Sequence, residues 1–236
     1  YKAERACSMT DVHIFGTSIM KATLLDPKTQ RYRFTAPQWM EKFQQQYPFH
    51  VLNHAKFGST IEKGYRILQA NLQKLRPHSI ALLEYGGNDC DHGWQEVALA
   101  PKQEHHPHTP LCKFTAVFQQ MIEDLRARDV LPILITLPPI DAERYFAWFT
   151  EKGRLDRAPI LSWLGDIQMI YRYQELYSES VLKLSYQTHC PLVDIRSAFL
   201  DKRCYQQLLC QDGIHPNERG YQLIYQSFAE FAAHPL

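Results

Sequence analysis

The sequence predicts an α/β fold, a three-layer α/β/α sandwich around a mostly parallel five-stranded sheet. Two observations carry that prediction. Short, near-continuous apolar runs recur along the chain, as expected of parallel strands buried on both faces. Longer segments of helical period separate them, and such alternation places helices on both faces of one sheet.

The strand candidates, in order, are residues 12–15, 50–53, 79–84 (SIALLE), 130–136 (VLPILIT) and 191–195 (PLVDI). Between the first two, TAPQWMEKFQQQY opens with Thr35 and Pro37, a helix-start signature. Ile61, Tyr65, Leu68, Leu72 and Leu75 recur at spacings of four, three, four and three, which is one face of a helix. Phe114, Val117, Phe118, Met121 and Leu125 repeat the pattern before the fourth strand, and Tyr221, Ile224, Tyr225, Phe228 and Phe231 do so near the C-terminus. Each stripe reads as core, not as a cofactor box. Two stretches exceed the minimal alternation, a polar one at 90–111 and an aromatic, charged one at 138–170. Insertions of that length in compact domains are more often functional than accidental. With no repeat, low-complexity tract or linker, residues 1–236 read as a single domain.

Lys+Arg number 26 and Asp+Glu 25, a net charge of +1, so no global field draws the chain to nucleic acid or to an anionic membrane. No apolar stretch approaches bilayer-spanning length, and the opening YKAERACSMTD has no signal-peptide core. Six cysteines without a C-x-x-C predict reduced thiols and a cytoplasmic location. Homo-oligomerisation is left open.

An open α/β sheet binds ligands beyond the carboxyl ends of its strands, so the residues following each run carry the information. After the first run come Gly16-Thr17-Ser18, and after the second the stretch from Asn53 to Thr60 with Gly58 inside it. Gly86-Gly87-Asn88-Asp89 follows the third, and Asp212-Gly213-Ile214-His215-Pro216 precedes the last helix. Acyl transfer through a serine needs that set. A hydroxyl is a poor nucleophile until an imidazole takes its proton, and a carboxylate must hold the imidazole's tautomer. Ser18, His215 and Asp212 fill those roles. Oxyanion donors would be the N–H groups of Ser18 and Gly58 and the side-chain amide of Asn88.

Taken in order, these four loops resemble the sequence blocks of the SGNH, or GDSL-type, hydrolase family. The G-x-N-D match at Gly86 to Asp89 and the D-x-x-H-P match at Asp212 to Pro216 are its most specific parts. The resemblance runs from Phe15 to the final helix. It implies a flavodoxin-like sheet, the catalytic residues Ser18, Asp212 and His215, and ester hydrolysis through an acyl-enzyme with no metal or cofactor. One position departs: the family's Gly-Asp-Ser reads Gly-Thr-Ser here, so the bonding of that turn should differ.

Asn88 and Asp89 also suit a capping turn, and Asp212 with His215 suits the N-cap and first turn of the last helix. The tract Glu104-His105-His106-Pro107-His108 contains a proline and no His-x-x-x-His pair, and reads as a solvated loop beside the site instead of a metal centre. Cys90 reads as a small buried residue. Asp91, Trp94 and Trp148 are candidate substrate contacts. Aromatic rings beside charged groups in 138–170 favour a short acyl group, O-acetyl foremost, on a carbohydrate. Two alternatives remain: a lysophospholipase or thioesterase with the same triad, and a non-catalytic relative that only binds.

Overall fold

In the computed structural model of the protein, residues 9–34, 45–151 and 154–233 are described. Five parallel strands form the main sheet: β1 (Thr10–Gly16), β4 (Phe49–Asn53), β5 (Ile80–Glu84), β6 (Leu131–Ile135) and β7 (Leu192–Val193). Their spatial order is β4-β1-β5-β6-β7, so the chain steps from β1 to one side and then returns to the other. The crevice between β1 and β5 is the topological switch point of such a sheet, where α/β folds place their ligands.

Side-chain alternation divides the core. Val12 and Ile14 of β1, Leu82 of β5 and Ile133 of β6 face one layer, with Phe199, Ile224 and Phe228. Phe15, Ala81, Leu83 and Leu134 face the other, with Ile61, Leu68, Phe114, Phe118, Tyr177 and Val181. The first layer is built by α7 (Ile195–Leu200) and α8 (Glu218–Ala233). The second is built by α1 (Ile61–Asn71), α3 (Leu111–Arg126) and the long α6 (Gln168–Thr188). That is the expected three-layer sandwich. The stripe beginning at Ile61 covers α1 and a following 3-10 turn at Leu72–Lys74, and α6 has no counterpart among the sequence expectations. The expected helix from Thr35 falls largely on residues 35–44, outside those described.

Pro132 sits inside β6 without breaking the sheet. The N–H groups of Leu134 and Thr136 donate towards β7, to Pro191 and Val193, and β7 does not extend to Pro132. Its missing donor therefore removes no bond. The fifth strand is shorter than the 191–195 run predicts. Asp194 leaves the ladder because its carboxylate caps α7, with Oδ1 accepting from Ser197 N at 3.1 Å.

The described parts of both insertions pack on each other. The first carries α2 (Trp94–Leu99), and the second carries α4 (Ala142–Thr150) and α5 (Arg157–Leu164). Trp94 stacks on Phe149 with centroids 4.9 Å apart, and with Val97, Ile140, Phe146 and Ile160 they form a third apolar cluster. A two-stranded sheet, β2 (Thr23–Leu25) with β3 (Tyr32–Phe34), emerges immediately after the first loop. Among the described residues it is the one piece of regular sheet that the strand reading missed. Its strands are three residues long, too short for a period-two pattern to register.

Candidate active site

Ser18 lies just beyond β1, at the mouth of the switch-point crevice. The Nε2 of His215 is 2.9 Å from Ser18 Oγ, and its Nδ1 is 2.7 Å from Asp212 Oδ2. All three side chains are buried, at 7%, 3% and 0% exposure for Ser18, His215 and Asp212. Burial works to raise the Asp212 pKa. The bond from the His215 ring and the N–H groups of His215 and Ile214 outweigh it and hold the carboxylate below its ordinary range. Asp212 is thus ionised, and its charge holds the imidazole with Nδ1 as donor and Nε2 facing the serine.

The loop bearing Asp212 and His215 is fixed from both sides. Cys210 N donates to His215 O, and Asp141 N donates to Gly213 O at 2.8 Å. Gly213 has φ +74°, and a Cβ there would lie 2.7 Å from Asp141 O, so this position admits only glycine. The capping alternative for Asp212 and His215 does not hold. Helix α8 begins later, and Asn217 Oδ1 accepts from the N–H groups of Arg219 and Gly220 in its first turn.

A family model described as GDSL-like lipase/acylhydrolase family matches residues 14–223. The chain belongs to that family. Solved structures share its fold: a lipase/acylhydrolase from Enterococcus faecalis (18% identical, 94% of each chain covered, TM-score 0.61) and an acetyl xylan esterase from Geobacillus stearothermophilus (19%, 96% of each chain, TM-score 0.63). A psychrotrophic esterase from Pseudoalteromonas sp. is similar too (17%, covering 95% of this chain and 97% of that one, TM-score 0.58). No curated protein matches the sequence.

The departure from the family's Gly-Asp-Ser has a structural counterpart. Thr17 donates twice to Glu84 Oε2, from its N–H at 3.0 Å and its hydroxyl at 2.8 Å, and Thr17 Oγ1 accepts from Ile19 N. A carboxylate at the end of β5 therefore anchors the turn from across the crevice. Glu84 is wholly buried, and its Oε1 is without a hydrogen-bond partner. Burial pushes its pKa from the ordinary 4.5 up to about 7, against the lowering effect of the Thr17 bonds. The folded protein then keeps a proton that the unfolded chain releases, so stability is lost as pH rises from 4.5 through about 7. Glu84→Gln removes that ionisation. At about pH 8 the variant should be more stable than the parent by up to about 3 kcal/mol, and near pH 4, below the ordinary carboxyl pKa, that difference should nearly vanish. Urea denaturation at both pH values measures this; an equal difference at both removes Glu84 as the titrating group.

Asn88 lines the cavity at Ser18. Its Nδ2 donates to Ser59 O at 3.0 Å, which orients the amide and leaves its second hydrogen for a ligand. Asp89 follows the capping expectation: its Oδ1 accepts from Ile61 N at 2.9 Å and closes the start of α1. Gly58 has φ +65° and is exposed, and Phe57 beside it lines the cavity while Gly58 does not. Its glycine is explained by backbone conformation, since an added Cβ would touch nothing within 4 Å.

The cavity has a volume of about 160 Å³ and runs from Ser18 towards the insertions. Asp91 and Trp94 both line it. Both oxygens of Asp91 are engaged by neighbours, accepting from Trp94 Nε1 at 2.8 Å and from the Tyr145 hydroxyl at 2.6 Å. It braces the wall. Trp148 is not among the lining residues. It packs against the core layer of α8 and carries the Arg154 guanidinium 4.6 Å above its ring. Tyr145, on the same helix, takes the place expected of Trp148 because its hydroxyl is held by Asp91. Cys90 is buried, with Sγ donating to Gly87 O and burial raising its pKa, as suits a packing residue.

The histidines of the polar insertion serve separate partners. His105 Nε2 meets Ala100 O, His108 Nδ1 meets Asn88 O, and His106 faces Glu104 at 3.9 Å. Among the described residues no group of three or more His, Cys, Asp or Glu is placed to hold a metal ion. Sequence reasoning missed Glu84, Tyr32 and Phe57 as site residues. For Glu84 a signal existed, a lone carboxylate ending an otherwise apolar run.

Proposed function

We propose that this protein is a serine carboxylic-ester hydrolase removing short acyl groups, O-acetyl foremost, from a carbohydrate through an acyl-enzyme on Ser18. One observation carries the reading: Ser18, His215 and Asp212 form a buried hydrogen-bonded line opening on a cavity. Ser18 Oγ attacks the ester carbonyl while His215 Nε2 takes its proton, and the imidazolium is held by Asp212. The oxyanion forms next to Asn88 Nδ2 and the Ser18 N–H, with Gly58 N–H as the third family donor. The Ser18 N–H lies between two that are already engaged, those of Thr17 and Ile19. His215 then gives its proton to the departing alkoxide. A water, deprotonated by the same nitrogen, attacks the acyl-enzyme and frees Ser18.

The preference for short acyl groups rests on volume. A cavity of about 160 Å³ admits a short acyl group, and its walls set the polar Asp91 and Tyr145 beside Trp94 and the aliphatic Leu137, Ile140 and Ile170. The acetyl xylan esterase among the similar folds is in keeping with this choice. On a series of p-nitrophenyl esters from acetyl to decanoyl, kcat/KM should peak at acetyl to butyryl. A maximum at octanoyl or longer replaces this reading with the lysophospholipase or thioesterase alternative.

A further inference from the structure

Resting on the esterase reading above, we propose that Tyr32, Phe34 and Phe57 form the subsite for the alcohol half of the ester, and that a pyranose ring occupies it. The two ends of an ester are not equivalent at a serine. The imidazole that accepts the serine proton must return it to the leaving oxygen, so the alcohol lies on the histidine side. The rings around His215 therefore face the alcohol. Tyr32 is tilted against the imidazole at 5.0 Å, and Phe57 lies nearly parallel to it at 5.9 Å. Phe34 meets Phe57 edge-on at 6.1 Å and extends the surface outward.

This shelf is open where the acyl side is closed. Phe34 is 54% exposed and Phe57 40%, while Trp94 is at 7%. Tyr32 and Phe57 line the cavity, so the shelf continues directly from Ser18. It is also held rigidly. Thr23 N donates to Ser18 O, the Tyr221 hydroxyl donates to Thr23 O, and Asp26 Oδ1 accepts from the N–H groups of Lys28 and Thr29 in the turn. The β2–β3 hairpin thus carries its rings at a fixed offset from the nucleophile.

A cation borders the rings. Lys21 Nζ lies 5.0 Å from the Phe34 centroid, whereas Arg33, on the opposite face of β3, is ion-paired to Glu218 at 3.4 Å. Exposed aromatic rings beside a Lys21 donor match a sugar, which offers axial C–H groups to a ring and hydroxyls to its edges. An acyl chain would need an enclosed groove on the other side of Ser18.

The test varies each half of the ester separately in wild type, Phe34→Ala and Phe34→Trp. With acetyl fixed, the alcohol runs from ethanol to acetylated xylobiose; with ethanol fixed, the acyl group runs from acetyl to octanoyl. Phe34→Ala should lower kcat/KM for acetylated xylobiose about tenfold more than for ethyl acetate, through KM, and leave the acyl ranking as it was. Phe34→Trp should restore the difference. An equal loss on both alcohols, or an altered acyl ranking, overturns the assignment. Calorimetric titration of Ser18→Ala with acetylated xylobiose separates this idea from the reaction. Binding that disappears on adding Phe34→Ala supports the shelf, even if no ester is turned over. Binding indifferent to Phe34, in a protein whose wild type hydrolyses ethyl acetate, sinks the shelf and leaves the esterase.

Discussion

Ser18→Ala is expected to lower turnover of p-nitrophenyl acetate by roughly ten-thousandfold or more, the scale seen when a serine triad loses its nucleophile. The only atom removed is Oγ, which lies 2.9 Å from His215 Nε2. The turn itself is held by other groups, the Thr17 bonds to Glu84 and the Thr23 bond to Ser18 O. The variant should therefore keep its melting temperature while losing activity. Labelling by a fluorophosphonate probe should vanish with the same substitution. Undiminished turnover in a folded Ser18→Ala protein would remove Ser18 as nucleophile and with it the proposed reaction.

Asn88→Ala should cost about a hundredfold in kcat, roughly 3 kcal/mol, the scale of one oxyanion donor. The loss should fall on kcat with KM little changed, because the bond to the oxyanion exists only once the tetrahedral species forms. A stability change must be separated from it, since Asn88 also donates to Ser59 O. That bond is worth about 1 kcal/mol, too little to unfold the chain. A decrease of less than about threefold in a folded variant would take Asn88 out of the oxyanion site.

Much of this arrangement was legible in the chain because its signals are local. Near-continuous apolar runs marked all five sheet strands within a few residues, since the central strands are buried on both faces and carry few polar side chains, His13 and Glu84 among them. The loops after β1 and β5 carried Ser18 and Asn88, the stretch before α8 carried Asp212 and His215, and the fold brings Ser18, Asn88 and His215 to one cavity. Where a local signal was absent, reading failed. Trp148 shares an aromatic insertion with Tyr145, and composition could not tell which ring faces Ser18. Glu84 sits at the end of a strand, and nothing near it in sequence announces Thr17 as its partner.

By itself, then, the amino-acid order determined the layers, the strand set and the candidate residues of the proposed reaction. Periodicity and loop chemistry depend on neighbours a few positions apart. Tertiary structure alone decided which groups meet. Ser18 and His215 are separated by 197 positions, and Thr17 and Glu84 by 67. Contacts at that range follow from strand order and the packing of whole elements, which also put Tyr32 and Phe57 against the imidazole. No window of sequence contains them together.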